Sequence, residues 1–159
     1  MSDEALLARV TRFIYQESRF QDEHEYDAWE ALWTADGVYW VPANGDDIDP
    51  ETQMSIIYDN RSRIALRIRQ LHSGKRHTQM PQSRLRRLVS NVELQPPDGE
   101  NINVAANVVI FESNLRGDTL WAARNHYVLR QEKDGLRMAR KKVVLVNNDK
   151  ALYTLSFLV

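Results

Sequence analysis

Cysteine is missing from all 159 residues. Its absence excludes disulfides, thiolate-ligated zinc, a thiol nucleophile, and any iron–sulfur cluster held through cysteines of this chain alone. Glycine is scarce: the six present are scattered singly through turns and form no phosphate-cradling loop. Apolar runs are short, far below the roughly 20 residues of a membrane-spanning helix. The opening Met1–Ala5 is acidic, unlike the basic start of a secretory signal, so a cytoplasmic location is expected. Histidine is limited to His24, His72, His77 and His126. His72 and His77 lie five apart with no carboxylate nearby in sequence, which argues against an iron site of two histidines and a carboxylate.

What is present is an ordinary globular composition, 43% hydrophobic and 27% charged, in a length that suits one domain over residues 1–159. The net charge of −1 conceals a division. Residues 1–60 hold 14 acids and three bases, whereas residues 61–159 hold eight acids and 18 bases. A basic tail for nucleic acid would not come with such a balancing acidic half. Either the halves neutralise each other within one fold, or acidic and basic faces meet between subunits.

Hydrophobic spacing places helices first. Asp3 to about Phe20 carries Leu6, Val10, Phe13, Ile14 and Glu17 at helical intervals, with Ser2 as cap and Asp3 and Glu4 suited to the positive end. A short second helix fits Glu25–Trp33, with Trp29, Leu32 and Trp33 as its core stripe. Asp36-Gly37 is a turn signal before the β-prone Val38–Val41, which Pro42 ends. Asn44–Glu51 reads as an acidic loop. A third helix runs from a cap at Asp59 or Asn60 to about Leu71, with Ile64, Ile68 and Leu71 inward and Gly74 as its stop.

Downstream the period changes to two. Segments near 84–95, 102–113, 119–131, 136–146 and 151–158 read as five strands, separated by QPPDGEN, NLRGD, KDG and NNDK. This order predicts an α+β fold with an antiparallel meander. In PQSRLRRLVSNV (81–92), strand alternation puts Arg84, Arg86 and Leu88 on one face and Leu85, Arg87, Val89 and Asn91 on the other. Arginine beside apolar residues on both faces suits a protein interface, where stems pack and guanidinium forks pair with carboxylates. Reversing Arg86 or Arg87 to glutamate is therefore expected to weaken assembly and spare the fold. His126 alternates with Arg124 and Val128, opposite Trp121, Tyr127 and Leu129. It is a candidate general base if it faces a cavity beside Asp36 or Asp27. His24, amid acids, reads as a solvated surface residue.

DAWEALWTADGVYWVP (27–42), SIIYDNRSRIALRIRQL (55–71), PQSRLRRLVSNVEL (81–94) and LRMARKKVVLVNND (136–149), in this order and with LYTLSFLV at the end, resemble the small (β) subunit of aromatic-ring-hydroxylating dioxygenases. The resemblance implies a cone-shaped fold of the nuclear-transport-factor-2-like, SnoaL-like (cystatin-like) kind. It also implies a partner: a large α subunit carrying a Rieske iron–sulfur cluster and a mononuclear iron. The expected assembly has three α and three β subunits, with β trimer contacts, and is served by a reductase and in some systems a ferredoxin. No cofactor, nucleic acid or membrane is expected for this chain. By motif, Trp40, Pro42, Tyr58, Arg61, Arg84, Arg86, Arg87, Asn91, Lys141 and Lys142 belong to the family pattern as structural or subunit-contacting residues. The alternative is a stand-alone dehydratase, isomerase or binding protein using the cone cavity, with Asp36, Tyr39, His77 and His126 as its residues. A cavity open to a histidine and an acid would favour the alternative; a filled cone would favour the subunit.

Overall fold

The computed structural model describes residues 1–73, 82–150 and 155–159. The elements run α1 (Asp3–Asp22), α2 (Tyr26–Glu30), β1 (Trp33–Pro42), β2 (Ser55–Asp59), α3 (Arg61–Ser73), β3 (Arg84–Leu94), β4 (Ile102–Asn114), β5 (Gly117–Glu132) and β6 (Gly135–Leu145). The six strands form one curved sheet ordered β2-β1-β6-β5-β4-β3. All pairings are antiparallel except β1 with β6, which is parallel. The helices close the concave side, giving the expected α+β cone.

Helix α1 begins as its sequence directs: the Ser2 hydroxyl accepts from the Ala5 N–H, and Asp3 and Glu4 sit at the positive end. Its buried stripe is Val10, Phe13, Ile14 and Glu17, extended by Gln21. The second helix is shorter than its aromatic spacing suggests. It ends at Glu30, and Trp33 opens β1, because Trp29, Trp33 and Tyr39 pack edge-to-face in one aromatic cluster that either backbone geometry could supply. Gly37 is required there. A Cβ would come within 2.6 Å of the Trp33 ring, at the irregularity separating the two paired stretches of β1 and β6.

Four of the five downstream strands form as expected, and two tight turns at 115–116 and 133–134 join β4–β5–β6. Of the fifth, expected over 151–158, residues 151–154 lie outside the described residues, and Leu155–Val159 carries no strand assignment, with Ser156–Val159 buried inside the cone as a tail. Its alternation of apolar residues serves packing against α1, β1 and β3, with no ladder. Gly74, the expected helix stop, lies outside the described residues.

Irregularities re-aim side chains. In β3 the pairing with β4 slips between Ser90 and Glu93, where Asn91 has φ of +52°. Leu85, Arg87 and Val89 face inward before the bulge, and Val92 and Leu94 after it. In β6 the pairing steps from Arg140 to Met138 against consecutive residues of β5, so Leu136 and Met138, then Lys141, Val143 and Leu145, all face the core. Strand β3 is a sheet edge, and Asp22 at the end of α1 covers it by accepting the Arg87 N–H at 3.0 Å.

Candidate functional site

Inside the cone the polar groups converge on Glu17. Its Oε2 accepts from Lys141 Nζ at 2.7 Å and from Trp29 Nε1 at 2.7 Å, while Oε1 lies 3.5 Å from the donating Tyr127 hydroxyl. Gln21 Oε1 accepts a further bond from Lys141 at 3.3 Å. Both members of the ion pair are about 1% exposed. Burial costs each charge several kcal/mol, so their attraction and the surrounding hydrogen bonds must offset that cost. Burial pushes the Lys141 ammonium below its ordinary pKa although Glu17 opposes the shift. It also raises the Tyr39 and Tyr127 hydroxyls, with the Glu17 charge adding to the effect. Each of these groups is buried and bonded to another within the chain.

The tail packs into the interior beside this cluster, leaving a cavity of about 230 Å³ between it, Ile57, Arg67 and Leu71. Phe157, Leu158 and Val159 are buried. The Tyr39 hydroxyl donates to the Val159 carbonyl at 2.5 Å and accepts its N–H at 3.0 Å. Gln21 Nε2 and the Arg87 guanidinium both donate to the Leu158 carbonyl. Arg87 also pairs with Asp22 at 2.6 Å, its side chain only 2% exposed, and lies over the Phe157 ring. Ser156 donates to Glu112, a buried carboxylate that also accepts from Ser83 and Trp121.

The candidate cavity residues are not brought together. Tyr39 faces inward but is committed to the tail. Asp36 sits on the surface, held below its ordinary pKa first by its hydrogen bond from Arg130 and then by that from Thr34. His126 points to the outer face, where partial burial and the nearby Lys142 and Arg124 depress its pKa. His77 lies outside the described residues. A His–Asp contact does occur, His72 with Asp27 at 2.7 Å, on the surface. His24 is not simply solvated: its Nε2 lies 2.7 Å from the Ser83 carbonyl and its Nδ1 3.2 Å from the Tyr26 hydroxyl.

The expected interface residues divide. Lys141 and Arg87 are internal ion-pair partners, so their side chains serve the fold, and the expectation that reversing Arg87 would spare it is corrected. Trp40 and Pro42 are also buried within the chain. Trp40 is flanked by Arg140 and Lys142 at 4.9 and 4.6 Å, edge-on to Tyr58, with its indole N–H on Ser55. Arg61 pairs with Glu30, bracing α3 against α2. Arg84, Arg86 and Asn91 remain exposed, and Tyr58 and Lys142 half-exposed. Beside them the outer sheet face carries Leu88 opposite Val109 opposite Ala122, and Phe111 opposite Leu120. A groove of about 930 Å³ runs past Leu85, Phe111 and Leu120, between Arg84, Arg86 and the end of α1. Among the described residues, no three histidine or carboxylate side chains cluster to hold a metal.

Glu17 and Gln21 are the interior residues a role-by-role reading of the sequence passes over. The signal was available: a carboxylate on the apolar stripe of α1, and a lysine followed by Val143–Val146, each call for the other.

A curved sheet closed by N-terminal helices defines a class. The chain superimposes on an NTF2-like protein with a cystatin-like fold from Novosphingobium aromaticivorans, with a TM-score of 0.58 and 16% identity, covering 88% of this chain and 81% of that one. Within that class the sequence is more specific. Residues 16–149 match the ring hydroxylating beta subunit family, and the chain belongs to it. It is 30% identical over 140 residues to the small oxygenase component of the p-cumate 2,3-dioxygenase system of Pseudomonas putida, covering 87% of this chain and 78% of that one. The beta subunit of benzoate 1,2-dioxygenase from Burkholderia mallei superimposes with a TM-score of 0.75 at 28% identity, over 89% of this chain and 91% of that one.

Proposed function

We propose that this chain is the structural, non-catalytic subunit of a ring-hydroxylating dioxygenase. The observation that carries the reading is the filled cone. Glu17–Lys141 and the tail pack the centre of the cone with groups committed to one another, while exposed arginines and apolar side chains stand on the outer face. The partner is a large α subunit, which would hold the Rieske cluster and the mononuclear iron; this chain has no cysteine for the cluster's thiolates, and among its described residues no histidines and carboxylate cluster as the iron would require. The assembly we favour has three copies of each subunit, fed electrons by a reductase with or without a ferredoxin. Tyr58, Arg84, Arg86, Asn91 and Lys142 are the family-pattern residues whose side chains remain available for contact. Both relatives described above carry the names of aromatic carboxylates, so a substrate of that class is proposed for the complex, which would add both atoms of O₂ to the ring.

Co-expression of a tagged chain with the large subunit tests this. The large subunit should copurify, and iron and oxidation of benzoate should appear only in the complex. Stoichiometric iron or turnover in the isolated chain, or failure of the large subunit to copurify, would overturn the reading.

A further inference from the structure

Beside the packed centre of the cone lies a recess between the edge strand β2, helix α3 and the tail, and we propose that it binds a small monocarboxylate whose apolar body is about one ring in size. The recess has a volume of about 230 Å³.

Its wall is apolar. Ile57, Phe157 and Leu158 are buried side chains, Leu71 closes the α3 side, and Ile56, 37% exposed, marks the side open to water. Arg67 is the one charged or polar side chain among the described residues that line it. Asp59 accepts from Arg67 Nε at 2.7 Å and so fixes the guanidinium from one side. Among the described residues the terminal nitrogens Nη1 and Nη2 make no hydrogen bond. They form the edge of the fork that pairs bidentately with a carboxylate. The side chain is only 23% exposed, so an ion pair made there is screened less than one on the surface.

Water suits this recess poorly, because an interior water needs several polar partners and the wall offers a single guanidinium. Left empty, the space would forfeit the packing contacts of its lining. An apolar cavity of about 150 Å³ already takes a benzene ring, so the volume here accommodates a ring together with one carboxylate. A second negative charge on the ligand would find no further cation in the wall and would stay buried and unpaired. The ligand is therefore singly charged, with its carboxylate on Arg67 and its body against Leu71, Phe157 and Leu158. By touching β2, α3 and the tail together, it would also hold the tail in its docked position.

The test titrates the full chain into 4-fluorobenzoate and, separately, into neutral 4-fluorotoluene, following the fluorine NMR signal. The wild type should bind the carboxylate at millimolar concentration or below, and about tenfold or more tightly than the neutral probe, as expected for a charge-assisted pair. Arg67→Lys keeps a cation for Asp59 but removes the fork. It should weaken 4-fluorobenzoate by about tenfold and leave 4-fluorotoluene unchanged. Leu71→Trp fills the recess and should abolish binding of both probes, with the circular dichroism spectrum retained. Should that variant unfold, Ile56→Trp blocks the exposed side with less demand on the interior. No binding by the wild type, equal affinity for the two probes, or affinity indifferent to Arg67→Lys or to the blocking variant would each sink the site. The measurement involves no large subunit, so its failure leaves the subunit reading standing, and failure of the large subunit to copurify leaves the recess.

Discussion

Arg86 and Arg87 are neighbours in sequence, as are Lys141 and Lys142, yet each pair is split between two environments. Arg87 and Lys141 turn into the cone, lose nearly all contact with water, and are answered by Asp22 and Glu17. Arg86 turns outward, donating to the Leu85 carbonyl and in no ion pair among the described residues, and Lys142 flanks Trp40 on the outer face. Residue type is the same; the alternation of the strand decides what it does. A base on the inner face is part of the fold's polar skeleton, and a base on the outer face is available to a neighbour.

The sharpest way to break this contrast is at position 141. Lys141→Ala strands the Glu17 carboxylate in the core and should cost about 3–5 kcal/mol in urea unfolding. Lys142→Ala, losing a half-exposed ammonium's contacts with the Trp40 ring and the Asp46 carbonyl, should cost about 1 kcal/mol or less. Equal losses at the two positions would erase the distinction. Arg87→Ala should cost about 3 kcal/mol by leaving Asp22 and the Leu158 carbonyl without their donor, against about 0.5 kcal/mol or less for Arg86→Ala.

The smallest effect is in pH. The folded His126 pKa is depressed below the ordinary 6.5, so the unfolded chain protonates first as pH falls. The stability tied to neutral His126 is present above about 6.5, is lost as pH drops below that value, and levels off once the folded imidazole also protonates. His126→Gln should flatten that part of the stability profile; an unchanged slope would count against His126, its imidazole depressed first by burial and then by Lys142 and Arg124, as its source.

Much of this architecture was legible from spacing. The stripe of α1 and the period-two segments specify helices and meander because each element buries one face. Trp33 reads as helical from its spacing yet opens β1, because an i, i+4 tryptophan pair meets as well across a helix–strand corner as along a helix. Leu155–Val159 reads as the end of a strand because its apolar positions do not reveal whether its backbone groups will bond to a ladder or to side chains. The inward aim of Lys141 depends on a bulge in β6, which no local residue announces. Glu17 was visible on its stripe, but its partner lies 124 residues away.

The tail also bears on how the chain folds. Gln21 reaches Leu158 across 137 residues, and Tyr39 reaches Val159 across 120. Contacts of such separation bear a large loop-closure entropy and slow folding relative to local pairing. Helices and hairpins can form early, but the donors of Gln21, Tyr39 and Arg87 find their acceptors only when the tail docks. Docking of residues 155–159 is thus the natural last event of folding.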